Sequence, residues 1–150
     1  MNDRFKFRVW DKEQGKYLPL YSHTDILDMW IFLDNTGVYL VERDNNRDLA
    51  FFNDITKDVV IQQCTGLKDK NGTLIYEGDL IRYTEYELDE AEPDWEYTEI
   101  VWGGSHYYPA FDLKVHNFDC NGLSYIFNEG WTIEVIGNIY ENKDLLNENS

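Results

Sequence analysis

A chain of 150 residues with 43% hydrophobic and 16% aromatic residues can fill a core, which excludes wholesale disorder. Its net charge of −16 repels nucleic-acid backbone and anionic membrane. No apolar run approaches the roughly 18 residues of a membrane span, and the opening MNDRFKFRVWDKEQ has charges where a secretory signal needs its apolar stretch.

The charge is unevenly spread. Residues 1–83 hold 14 acids and 11 bases, net −3; residues 84–150 hold 15 acids and 2 bases, net −13. Nucleic-acid binding through the C-terminal half is therefore disfavoured, whereas the N-terminal half can hold a small basic patch. Five Trp, 11 Tyr and 8 Phe lean the chain toward sheet. Cys64 and Cys120 form no C-x-x-C pair and read as two free, partly buried thiols of a reducing cytoplasm.

Taken in order, residues 5–10 (FKFRVW) alternate, with Phe5, Phe7 and Val9 on one face and Arg4, Lys6, Arg8 and Trp10 on the other. They predict a half-buried strand with a basic outer face carrying an exposed Trp10. Asp11–Gly15 is a turn and Lys16–Leu20 its return strand. In residues 23–33, Thr24 is a possible N-cap and Ile26, Met29, Trp30 and Leu33 share a helical face. A short helix is expected there, with a strand over 30–33 as the alternative. Asp34–Gly37 reads as a turn, Val38–Val41 as a strand, Asp44–Asp48 as a turn and Leu49–Phe52 as a strand.

Val59–Cys64 starts a β-branched strand. Asn71-Gly72 favours the positive φ of a tight turn, Leu74–Tyr76 resumes extended structure, and Gly78-Asp79 interrupts it as a bulge or bend. Residues 84–99 contain 8 acids and no base, and read as a solvated connection or a self-repelling extension. Strands follow at Glu99–Trp102, Ala110–Val115, Leu123–Phe127 and Trp131–Tyr140, with a turn at Gly103–Ser105 and a bend at Gly137. Asn142 caps a short terminal helix over 143–146. About ten short strands and at most two short helices predict an all-β roll or small barrel.

Three blocks in order then carry a resemblance. They are Phe7-Arg8-Val9-Trp10-Asp11-Lys12, Gln63 to Gly72 continuing through Ile75-Tyr76-Glu77-Gly78-Asp79, and Glu134 to Asn142. Together they resemble the YopX family of phage and prophage proteins, departing from it at Cys64, where an aromatic is common, and at Lys143, where Pro is common. The resemblance implies a mainly β fold with a small SH3-like barrel in the C-terminal part and an irregular N-terminal β lobe. The expected organisation is one compact unit, 1–150, with a lobe over 1–58 and a barrel core over 59–146 that carries the acidic insertion 84–99. The resemblance also implies a phage gene expressed in a bacterial cytoplasm, and brings no enzymatic activity.

No chemical motif rises above its structural explanation. His116, Asp119 and Cys120 lie close in sequence, but a nucleophilic Cys needs a positioned base and a metal needs three or four convergent ligands, so a polar turn is expected. Glu77 and Asp79 are a carboxylate pair, but in a kinked strand Asp79 is expected to accept backbone N–H bonds. Phosphate loops, nucleophile elbows and H-E-x-x-H are absent from the sequence. Asn71, Gly72, Gly78 and Asp79 are expected to be structural, with no catalytic residue, cofactor or metal.

Two surfaces remain. Arg4, Lys6, Arg8 and Trp10 would suit a backbone-tracking, base-stacking strand. Glu85, Glu87, Asp89, Glu90, Glu92 and Asp94 could mimic DNA phosphates toward a basic protein. The expectation is a non-enzymatic accessory protein acting on an unidentified protein partner. Its 24 aromatics exceed what a small barrel hides, which points to a homo-oligomer. An acidic DNA mimic and a nucleic-acid binder are the alternatives.

Overall fold

The computed structural model describes residues 6–23, 27–44, 50–85, 93–103, 110–142 and 144–145. The mainly β architecture expected from the sequence is present: twelve strands and one helix among the described residues. The chain divides into two compact units, one of residues 7–62 and one of residues 1–6 with 63–150.

In the unit of residues 7–62, β1 (Phe7–Asp11) pairs antiparallel with β2 (Lys16–Leu18), and a second sheet runs β3 (Tyr21–His23), β4 (Leu27–Leu33), β5 (Val38–Asp44) and β6 (Ala50–Asp54) in that order. β7 (Val59–Lys68) lies on the other side of β1, and its first residues complete this unit. Val9 and Val59 of one sheet meet Ile31 and Val38 of the other, flanked by Phe7, Leu18, Leu33, Leu40, Ile55 and Ile61.

The helix expected over 23–33 is instead β4, in unbroken register with β5 from Leu27↔Asp44 to Leu33↔Val38. Met29, Ile31 and Leu33 alternate inward, while Asp28, Trp30 and Phe32 face the opposite side. Because Trp30 and Phe32 on the outward side are also apolar, the period of two is hidden in the sequence from Met29 to Leu33. A helical spacing can then be read from the same letters. Residues 24–26, which include the expected cap Thr24, lie outside the described residues, as does most of the 44–48 turn.

The second unit is a curled sheet in the order β11 (Phe111–Leu113), β10 (Glu96–Trp102), β9 (Asp79–Thr84), β12 (Thr132–Asn138), with β8 (Leu74–Tyr76) paired to the end of β7. Ile75, Ile81, Tyr83, Ile100, Leu113 and Ile133 form its core with Leu123 and Ile126 of α1 (Gly122–Asn128). The strand expected at Leu123–Phe127 is this helix. Asn121 caps it, its Oδ1 accepting the Ser124 amide at 2.8 Å, and Asn121 Nδ2 donates to the Phe111 carbonyl at 3.0 Å. Leu123, Ile126 and Phe127 satisfy a helical spacing as well as Leu123, Tyr125 and Phe127 satisfy an alternating one, and the cap decides between them.

The turn after β7 is built on Asp69. Its Oδ1 accepts the amides of Asn71 and Thr73, both at 2.8 Å, and its Oδ2 accepts the Val135 amide of β12 at 3.1 Å. One carboxylate thus shapes the turn and ties it to the opposite strand. Gly72 has the positive φ expected of an Asn-Gly turn, 81°, and Gly78, where a bulge or bend was expected, also has positive φ, 77°. Gly78 also donates to the Ile100 carbonyl at 2.7 Å and accepts from the Ile139 amide at 3.0 Å. Asp79 Oδ2 accepts the Tyr76 amide at 2.7 Å, the structural role expected of it. The register of β12 on β9 shifts between Val135 and Gly137, where a bend was expected.

Candidate functional site

The expected basic, stacking strand is corrected at Trp10. That side chain is buried, with the Tyr17 ring edge-on to it at 5.0 Å, so it offers no exposed platform for a base. Arg8 is committed as well. Its guanidinium lies 4.8 Å above the Tyr17 ring, and its Nε donates to Gln62 Oε1 at 2.8 Å, an oxygen that also accepts the Tyr17 hydroxyl at 2.7 Å. Gln62 is buried, so this network satisfies a polar group that would otherwise be stranded in the core. Both faces of β1 are covered, which a strict in/out alternation does not anticipate. Lys6 is exposed, and Arg4 lies outside the described residues.

Of the acidic set, Glu85 and Asp94 are exposed, while Glu87, Asp89, Glu90 and Glu92 lie outside the described residues. Within the same stretch, Trp95 is clasped by cations: Arg82 lies 4.3 Å and Lys70 5.5 Å from its ring. Both cations pair with Glu134, Arg82 through Nε at 2.7 Å and Lys70 through Nζ at 3.1 Å. Burial works against the charge on Glu134, but these two cations outweigh it and hold the carboxyl below its ordinary range.

His116, Asp119 and Cys120 do not assemble into a reactive group. The His116 Nδ1 accepts the Phe118 amide at 3.2 Å, and its Nε2 faces Asp112 Oδ2 at 3.5 Å. Both ring nitrogens are therefore used away from Cys120, which is exposed and unpaired, as Cys64 is buried and unpaired. Glu77 is pushed above the ordinary carboxylate range by burial, against an opposing Gln63 amide, with the negative charge of Glu99 adding to the rise. Asp79 is tied to the turn. Among the described residues no three His, Cys, Asp or Glu side chains converge on a metal-sized site.

What the sequence did not single out is the outer face of the β3–β6 sheet. Its register aligns Tyr21, Trp30, Val41 and Phe52 directly across four strands, with Phe32 opposite Tyr39 beside them. The inner face of the same sheet carries Ile31, Val38 and Leu40, so this row lies on the opposite face, where Val41 is itself fully buried and Trp30 partly so while the two ends of the row stand in water. Tyr21 and Phe52 are each 63% exposed and Phe32 44%. The Phe32 and Tyr39 rings are 6.3 Å apart, and Thr36 Oγ1 and the Tyr39 hydroxyl share a hydrogen bond at 2.7 Å. The one ion pair on the face among the described residues is Arg43 with Asp28, at 2.8 Å. The signal available in the sequence was the run Met29–Leu33, apolar at successive positions where a half-buried strand would alternate.

On the inner side of this unit lies a cavity of about 460 Å³, walled by Leu18, Met29, Ile31, Leu40, Ile55 and Val59, with Glu13, Lys16 and Asp58 among its polar lining. Its size and apolar walls suit a hydrophobic group. Asp11, also in the lining, is already occupied by the amides of Glu13 and Gln14 and by the Gln14 side chain.

Comparison with known proteins agrees with the architecture. The crystal structure of protein EF1440 from Enterococcus faecalis superposes with a TM-score of 0.53 at 24% identity, covering 94% of this chain and 96% of that one, a likeness of fold. No curated protein matches the sequence. The description YopX protein matches residues 6–147, nearly the whole chain, and the protein therefore belongs to the YopX family.

Proposed function

We propose that the protein is a non-enzymatic phage or prophage accessory protein of the bacterial cytoplasm, working by protein–protein contact through the outer face of the β3–β6 sheet. The observation that carries this reading is the aromatic row itself. At the exposures of Tyr21, Phe32 and Phe52, and with roughly 200 Å² per aromatic side chain, these three residues alone leave about 350 Å² of ring surface in water. The largest apolar patch of an ordinary monomer is about 300–600 Å² and is often functional, and this summed exposure falls in that range. Aromatics are enriched and charges depleted at the centres of such contacts, which matches a face with a single ion pair among its described residues. The phage origin is part of this proposal and is supported by the family resemblance.

The test is affinity capture from the natural host with the full chain, set against the double variant Tyr21→Lys, Phe32→Lys. Loss of a specifically captured protein in the double variant supports the reading; an identical set of captured proteins refutes it.

The net charge of −13 over residues 84–150 favours a second reading, an acidic mimic of DNA directed at a basic protein. Its complex would weaken steeply with added salt, and salt-independent binding would remove it.

A further inference from the structure

Phe51 and Phe52 are neighbours on β6 and are 59% and 63% exposed. Adjacent strand residues point to opposite faces of a sheet, so these two rings stand on opposite sides. A partner laid on the outer face covers Phe52 and leaves Phe51 in water; a strand added at the edge lies beside both. Among the described residues β6 has one neighbour, β5, and the pairing is regular from Tyr39↔Asp54 to Arg43↔Ala50 with no bulge. Exposed edges are commonly blunted by lysine, proline, a bulge or short length. The sequence AFFND has none of the first three and is five residues long. The opposite edge, β3, has only three residues.

We propose that β6 is a pairing edge and that its occupant is β6 of a second copy, joined antiparallel about a two-fold axis into a continuous eight-stranded sheet. This rests on the reading of the lobe as a contact surface and specifies its partner. A two-fold antiparallel pair centred on the middle residue puts Phe52 opposite Phe52 and Ala50 opposite Asp54, so the strand's only charge meets a small apolar residue. A parallel arrangement would set Asp54 against Asp54, and like charges directly opposed are unfavourable. The charge of the whole molecule also favours meeting at this lobe. Residues 7–62 hold ten acids and six bases, net −4, leaving −12 of the total −16 elsewhere. The two rings contribute about 250 Å² per copy at 200 Å² per side chain. Even doubled, this is below the roughly 1,200 Å² of a standard interface, so the pairing is weak and concentration-dependent.

Sedimentation of the full chain from about 5 to 300 µM, the range of a weak complex, reads the association. The expected result is a reversible dimer whose dissociation constant rises at least tenfold in Phe51→Lys and in Phe52→Lys and is unchanged in Tyr21→Lys. Directly opposed residues have Cα atoms about 4.5–5.5 Å apart, within disulfide range. On a Cys120→Ser background, Phe52→Cys should therefore cross-link to its own copy on oxidation, and Asp54→Cys should not. A monomer throughout, sensitivity to Tyr21→Lys without sensitivity to Phe51→Lys, or equal cross-linking at 52 and 54 each overturns the pairing. A monomer that still captures a host protein through Tyr21 and Phe32 leaves the outer-face reading standing; a dimer with unaltered capture in the double variant refutes that reading alone.

Discussion

Replacing Asp69 tests the central structural inference from the C-terminal unit. Its carboxylate accepts three backbone amides, those of Asn71, Thr73 and Val135, from a position that is 8% exposed. A hydrogen bond to a charged group contributes about 1.5–3 kcal/mol, and three sharing one carboxylate do not add fully. Asp69→Ala leaves all three amides without their acceptor and should cost about 3–4 kcal/mol. Asp69→Asn keeps an oxygen for two amides but turns an NH₂ toward the Val135 amide, and should cost about 2 kcal/mol. At about 2–4 °C per kcal/mol for a chain of this size, the alanine variant should melt about 6–16 °C lower. Calorimetry reads the shift, and hydrogen exchange at Asn71, Thr73 and Val135 localises it. The pH dependence has a definite sign. Burial opposes the charge on Asp69, but the Val135, Thr73 and Asn71 amides outweigh it and lower its pKa from the ordinary 3.8. The stabilisation is therefore fully present above pH 3.8 and lost as pH falls through the lower folded value. A cost below about 1 kcal/mol for Asp69→Ala, or unchanged exchange at Val135, would refute the claim that this carboxylate joins turn to strand.

Three further predictions are independent of it. Gly78→Ala forces a side chain into the left-handed region at φ 77° and should cost about 1–2 kcal/mol by urea denaturation; Gly78→Asn should cost less, and equal costs would remove the backbone explanation. Glu77→Gln should raise stability at pH 7, because burial and the nearby Glu99 disfavour the carboxylate. Its folded pKa is raised, so the wild-type advantage belongs to low pH and is lost as pH rises through that value; the variant's gain should vanish near pH 4 in paired melts. Iodoacetamide applied to the native protein should label Cys120 and spare Cys64, which is 0% exposed, and labelling of both before unfolding would contradict that burial.

The loop chemistry was legible without the fold. Asn71-Gly72 and Gly78-Asp79 announce positive φ and a carboxylate-held turn through local sterics, which need no distant partner. The positions of most strands were legible too, since alternation survives wherever one face is polar. Asp69 was passed over because its third bond goes to Val135, 66 residues away. The helix expected over residues 23–33 failed because both faces of β4 are apolar from Met29 to Leu33, and Leu123–Phe127 was read as strand because five residues fit two periods equally well.

The sequence by itself determined the sheet-rich class, the turns, the lopsided charge and the family, since all of these rest on local pattern or residue order. Only the tertiary structure decided which aromatics are buried. Trp10, expected outside, is enclosed against Tyr17, whereas Tyr21, Phe32, Phe51 and Phe52 stand in water. Alternation assigns a residue to a face, but whether that face meets a second layer depends on pairings between strands distant in the chain. For this protein that difference turned attention from a basic strand to an aromatic sheet and its open edge.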